Sequence, residues 1–161
     1  MPNEVERKYL LAGLPDRSEI VFNVEVAICQ GYLSAGEPEV RVRSKGGRFY
    51  VARKSGEGLV REEEEVEVNE RVFDILWPAT QGVRVQKTRY EFIDPNGLTW
   101  EIDAYRDRDL VIVEVELPSA ETVPIIPPAI SAVLVAEVTN DKRYKNKFLA
   151  LVGGVPSRPN T

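Results

Sequence analysis

Polar and apolar residues alternate with period two through most of the chain, which predicts a mainly β fold of the α+β class with about eight antiparallel strands. Two further observations agree. Short turn signals separate the alternating runs, and helical spacing is confined to one stretch in mid-chain and one near the C-terminus. With 161 residues, 43% of them hydrophobic, the chain is large and apolar enough for one domain with its own core.

The first alternating run is Glu4 to Leu10, followed by Val21 to Leu33 and Glu39 to Arg43. Ser44-Lys45-Gly46-Gly47 is turn chemistry, so Arg48 to Lys54 is the returning strand of a hairpin. Ser55-Gly56-Glu57-Gly58 leads into a fifth strand, Leu59 to Val68. Asn69 then caps a helix whose Val72, Phe73, Leu76 and Trp77 share one face, and Pro78 limits its end. Strands resume at Gly82 to Ile93, and Asp94-Pro95-Asn96-Gly97 turns the chain into Leu98 to Tyr105. The eighth strand is Asp109 to Leu117. A proline-rich tract follows, and then a C-terminal helix, Arg143 to Val152, capped by Asn140 or Asp141 and stopped by Gly153-Gly154. Residues 1–152 are expected to form one domain and 153–161 a loose tail.

Composition narrows the chemistry. The formal net charge of −5 argues against a general nucleic-acid binder, although the 21 Lys and Arg residues can still cluster. There is no histidine, so any metal site must be built from carboxylates, which favour hard cations. The single cysteine, Cys29, cannot form an internal disulfide. The N-terminus carries no apolar signal region, and the most apolar tract, Val123 to Ala136, is broken by three prolines and is too short for a membrane span. A cytoplasmic protein without membrane or nucleic-acid partners is expected.

Successive strand side chains point to opposite faces. Glu4, Glu6 and Lys8 therefore share a face, as do Glu39, Arg41 and Arg43; Arg61, Glu63, Glu65 and Glu67; Lys87, Arg89 and Glu91; Glu101 and Asp103; and Glu114 and Glu116. Lys54 lies on the face of Tyr50. The opposite faces are largely apolar, as with Val5 and Tyr9, or Val113 and Val115. An ordinary antiparallel sheet with a solvated charged face accounts for the alternation alone. The density and mixed sign of the stripes favour another arrangement, because adjacent like charges are costly unless a cation lies between them. About eight strands suffice to close a barrel, with the charges inward. Outward apolar stripes would then need cover from helices or from a second subunit, as in a homodimer.

Several short motifs occur in order. Glu4-Val5-Glu6-Arg7-Lys8 resembles the N-terminal ExExK signature of the CYTH family, the triphosphate tunnel metalloenzymes. Gln30-Gly31-Tyr32-Leu33, Arg41-Val42-Arg43, Lys54, the Arg61/Glu63/Glu65 strand and Lys87-Thr88-Arg89 resemble the motifs that follow it. So do Trp100-Glu101-Ile102-Asp103, Glu114-Val115-Glu116-Leu117, and Glu137-Val138-Thr139 with Arg143-Tyr144 and Asn146. The match spans roughly residues 1–150. Two positions depart from it: Ala52 stands where a threonine is frequent, and Val133-Leu134-Val135-Ala136 replaces a Trp-Leu-Gly pattern.

The resemblance implies a closed antiparallel tunnel and Mg²⁺- or Mn²⁺-dependent hydrolysis of a triphosphate, with inorganic tripolyphosphate the favoured substrate and orthophosphate the product. It places Glu4, Glu6 and Glu116 on the principal metal. Glu63, Glu65, Asp103 and Glu114 would hold a second metal or position the attacking water, with Glu63 as its proton acceptor. Lys8, Arg41, Arg43, Lys54, Arg61, Lys87 and Arg89 would hold the phosphates, with Lys8 and Lys87 at the reacting group. Adenylate cyclase and thiamine triphosphatase activities also occur in such a family, and a non-catalytic polyphosphate receptor uses the same basic residues.

Overall fold

The computed structural model describes residues 5–56 and 62–159. Their strands are β1 (Val5–Leu11), β2 (Val24–Ser34), β3 (Glu39–Lys45), β4 (Arg48–Ser55), β5 (Glu62–Val68), β6 (Arg84–Ile93), β7 (Thr99–Tyr105), β8 (Val111–Leu117) and β9 (Leu134–Glu137). Three short helices accompany them: α1 (Glu70–Leu76), α2 (Pro128–Ser131) and α3 (Asn146–Val152). The described residues fall into two compact units, one drawn from residues 5–26, 88–141 and 157–159, the other from residues 27–56, 62–87 and 142–156. No helix among the described residues is long and apolar enough to cross a membrane.

The strands are hydrogen-bonded in the order β5-β4-β3-β2-β6-β7-β8-β1-β9. This is a mainly antiparallel sheet, as the alternation predicts, but it is not closed among the described residues. The reason is visible at β1. Its one edge pairs with β8 over the whole strand, and its other edge is taken by β9. The first and eighth strands are thus neighbours, as a closed barrel would also make them, yet β5 ends the sheet. β9 has only four residues inside the proline-rich tract, too short for periodicity to reveal.

In the first unit the apolar stripes that alternation separates from the charged ones form the core. Trp100, Ile102, Val113 and Val115 are fully buried and pack with Tyr9, Leu11, Phe92 and Ile130. The registers pair apolar with apolar across strands: Tyr9 opposite Val113, Trp100 opposite Val115 and Ile102 opposite Val113. The β6–β7 turn is tied to this core by Asp94, which accepts bonds from the backbone of Asn96 (2.8 Å) and Leu98 (3.0 Å). Its second oxygen accepts from the indole N–H of the buried Trp100 at 2.8 Å.

In the second unit, the side chain of Asn69 caps α1 by accepting from the backbone of Val72 at 3.0 Å. A single 3-10 turn beginning with Trp77-Pro78 ends it. Phe73 of α1 packs between Phe49 and Trp77, at ring separations of 5.1 and 5.2 Å. The C-terminal helix starts later than the sequence suggests. A 3-10 turn over Lys142–Tyr144, anchored by the buried Tyr144, comes first, and Lys145 rather than Asn140 or Asp141 precedes α3. Gly153, at φ 73°, ends it in the left-handed conformation that glycine adopts without steric cost.

Asp94→Ala leaves the Trp100 indole N–H and two turn amides without their acceptor. It is expected to lower stability by roughly 2–3 kcal/mol in urea unfolding, with an unchanged m-value.

Candidate functional site

The charged stripes form a cluster in each unit. In the first unit the β1–β8 register sets Glu6 opposite Glu116 and Lys8 opposite Glu114, and the β7–β8 register sets Glu101 opposite Glu114. The ammonium of Lys8 lies 3.1 Å from Glu114 Oε1. The strand is held there by its neighbour segment: the Lys8 N–H donates to Thr139 Oγ1 at 3.1 Å, and the Val138 N–H donates to the Lys8 carbonyl at 2.8 Å. That is what Glu137-Val138-Thr139 does in this fold.

Arg89 on β6 faces β7. Its Nε donates to Asp103 Oδ1 at 2.9 Å and its Nη2 to Oδ2 at 3.1 Å, a bidentate pair, while Nη1 lies 3.5 Å from Glu101. Burial works against its charge, but the Asp103 hydrogen bonds and then the charges of Asp103, Glu101 and Glu114 outweigh it, so Arg89 stays protonated far beyond any working pH. Glu101 is shifted upward, first by burial and, against the pull of Arg89, by the negative charges of Glu91, Asp103 and Glu114. The phenol of Tyr105, next on the same face, is also raised well above its ordinary value by burial and by Asp103 and Glu114. This face is crowded with negative charge.

In the second unit, Arg41 Nη2 lies 3.2 Å from Glu63 and 3.5 Å from Glu65, and Lys54 lies 3.9 Å from the same Glu63. The Arg41 Nε is buried and has no hydrogen-bond partner. Arg43 donates from Nε to Gln30 Oε1 at 2.9 Å. Lys87 is almost completely buried, with Nζ 3.3 Å from Asn146 Oδ1 at the start of α3. Next to Asn146, Lys147 lies 3.8 Å from the buried Glu39. Glu64 points the other way, to Arg53 at 3.7 Å on the outer face.

The structure thus brings together Lys8, Glu114, Arg89 and Asp103 with the facing Glu6 and Glu116 in one unit. In the other it brings together Arg41, Lys54, Glu63 and Glu65, with Arg43 and Lys87 each held by a side-chain amide. Glu4 and Arg61 lie outside the described residues. Sequence reasoning left out of the site Glu101, Gln30, Glu39, Asn146 and Lys147. Alternation puts Glu101 on the charged stripe with Asp103 but assigns it no role; Asn146 stands in the C-terminal motif, and its contact with Lys87, like that of Lys147 with Glu39, comes from tertiary packing that no local pattern marks.

The donors are all oxygen, which suits a hard divalent cation. Among the described residues no three carboxylates converge as a ready-made metal cage. Mg²⁺ does not need one, because it is usually held by one or two carboxylates together with substrate phosphates. The directly opposed pair Glu6–Glu116 is a juxtaposition that a cation would relieve, whereas Glu101 and Glu114 already face Arg89 and Lys8. The residues present fit such an ion.

Fold and charge pattern together define the class: an antiparallel β protein whose strands, in each unit, carry acids and bases interleaved on one face. The chain is 41% identical over 153 residues to the inorganic triphosphatase of Nitrosomonas europaea, covering 92% of this chain and 97% of that one. It is 38% identical to a crystal structure of an inorganic triphosphatase, with a TM-score of 0.74 and 99% of each chain covered. A putative adenylyl cyclase from Hippeastrum with a dominant triphosphatase activity shares the fold at a TM-score of 0.53 and 15% identity, over 73% of this chain and 81% of that one. No protein-family model matches the chain. The chain belongs to the CYTH family, that of the Nitrosomonas inorganic triphosphatase.

The Arg89 pair is nearly buried, at 18% and 8% side-chain exposure, whereas Arg53–Glu64 is exposed at 51% and 77%. Arg89→Met strands Asp103 and Glu101 and is expected to cost roughly 3–5 kcal/mol in chemical denaturation. Arg53→Met is expected to cost less than about 1 kcal/mol.

Proposed function

We propose that the protein hydrolyses a triphosphate, inorganic tripolyphosphate above all, with a divalent cation, Mg²⁺ or Mn²⁺, and releases orthophosphate. The observation that carries this reading is the 41% identity to an inorganic triphosphatase along nearly the whole chain. The geometry supports it independently. A linear triphosphate is a dense string of anionic oxygens, and both clusters present Lys and Arg side chains at fixed positions. The orphaned Nε of Arg41 is a buried donor for which a phosphate oxygen is a suitable acceptor.

Glu6, Glu116 and Glu114, with Glu4, would hold the cation, and Asp103 and Glu65 lie on the matching stripes of their own units. When bound, the cation would neutralise phosphate charge and assist the generation of a nucleophile from water. The chain's own residues do the rest. Lys8, Arg89, Arg41, Arg43, Lys54, Lys87 and Arg61 hold phosphoryl oxygens, and Lys8 and Lys87, at the reacting group, stabilise the charge that develops on the transferred group and on the leaving oxygen. Glu63, half-exposed and already close to two basic side chains, is the proposed acceptor of the water's proton. Lys87, buried against an asparagine, presents a positive charge where water does not screen it, which strengthens its pull on a phosphate.

The test is phosphate release from tripolyphosphate, ATP and thiamine triphosphate with Mg²⁺, with Mn²⁺ and with EDTA. Release should require metal, be fastest from tripolyphosphate, and fall on the order of 100-fold in Glu6→Gln, as loss of a metal ligand does. Lys87→Ala should lose a comparable factor while retaining its metal dependence. No release from any of the three, or release from ATP of pyrophosphate in place of orthophosphate, would overturn the hydrolase reading; from tripolyphosphate, pyrophosphate is the expected co-product of orthophosphate.

A further inference from the structure

Gln30 is almost fully buried, and both ends of its amide are used. The β2–β3 register puts Gln30 opposite Arg43 and Tyr32 opposite Arg41, so all four side chains share one face. Gln30 Oε1 accepts from Arg43 Nε at 2.9 Å, and its Nε2 donates to the Tyr32 hydroxyl at 2.7 Å. Because a guanidinium only donates, the oxygen must face Arg43, and the NH₂ is left for the phenol; the amide has a single consistent orientation.

The strand beneath is fixed from behind. A Cβ on Gly31 would lie 2.4 to 2.9 Å from the side-chain atoms of Thr80, so only glycine allows this approach. Thr80 is itself immobile: it is fully buried, donates to the Trp77 carbonyl at 2.7 Å and accepts from Arg84 Nε at 2.9 Å. Arg84 also donates to that carbonyl at 2.6 Å and lies 4.1 Å over the Trp77 ring. One residue on, the Tyr32 N–H donates to the Val83 carbonyl at 3.0 Å. The Gln30 amide therefore stands on a braced backbone.

Arg43 Nε donates to a neutral amide, whereas Arg41 Nη2 and Arg89 Nε donate to carboxylates. The amide orients the guanidinium without itself contributing a negative charge, which matters if the guanidinium must attract an anion. We propose that Gln30 is a positioning residue for Arg43, braced by Tyr32 and by the Gly31–Thr80 contact, and that it sets the affinity for a polyphosphate rather than the rate of its cleavage. The proposal rests on the reading of Arg43 as a phosphate ligand.

The experiment measures calorimetric Kd for inorganic tripolyphosphate in EDTA, and KM and kcat for the same compound with Mg²⁺, together with melting temperature. Gln30→Met keeps the length and loses both bonds; it should raise Kd and KM about 10-fold and leave kcat within about 3-fold. Gln30→Glu keeps an acceptor for Arg43 but adds a charge, and should bind more weakly still. In an Arg43→Gln background, Gln30→Met should add almost nothing, because its effect acts through Arg43. Tyr32→Phe, which leaves the Gln30–Arg43 bond in place, should give a smaller loss of about 3-fold and serves if Gln30→Met does not fold. Unchanged Kd in the folded Gln30 variants, or a full additional loss in the Arg43→Gln background, overturns the proposal. Coupled binding losses in a wild-type protein that releases no phosphate would sustain the positioning role and overturn only the hydrolase reading.

Discussion

Arg89 is the charge on which the acidic face of the first unit depends. Burial and the charges of Glu91, Asp103 and Glu114 push the Glu101 carboxyl upward, and the sheet registers leave these side chains nowhere else to point. A bidentate guanidinium between two of them makes that crowding tolerable. The arrangement is stable as a pair and costly to halve, which is the usual behaviour of buried ions. Lys8 does the same for Glu114 from the other side of β8.

The second unit solves the same problem with more variety. Arg41 is balanced by two glutamates of β5, Lys54 shares one of them, Lys87 is buried against an amide oxygen, and Lys147 comes from α3 to meet Glu39. Partners of different strength give basic side chains of different availability. A carboxylate partner can be exchanged for a phosphate of like charge, whereas an amide partner can stay in place while a phosphate binds. The first arrangement suits groups that reorganise on binding, the second groups that are pre-set.

Much of this was readable in the residues alone. The strand alternation located the charged and apolar faces of β1, β5, β7 and β8, and even the opposite orientations of Glu63 and Glu64. Asn69 announced α1 because a capping side chain is a local device. The ordered motifs pointed to the family to which the chain belongs. Closure of the sheet was not readable in the same way, since it depends on which edges find partners over long separations, and a four-residue strand in a proline-rich tract settles the fate of β1. Gln30 and Asn146 stand in the ordered motifs, but their bonds to Arg43 and Lys87 were not readable for a related reason. They carry no charge, so nothing in a charge pattern marks them, and Asn146 is 59 residues from its lysine.

The end of the sheet has a consequence for self-association. Among the described residues β5 has a strand partner on one side only, and five of its seven residues are glutamates. A free strand edge is a template for another chain's backbone, and evenly hydrophobic edges seed aggregates. A second β5 approaching in register would bring rows of carboxylates face to face before its first backbone bond could form. The same residues that balance Arg41 and Lys54 therefore carry like charges that oppose such pairing at the end of a sheet that, among the described residues, does not close on itself.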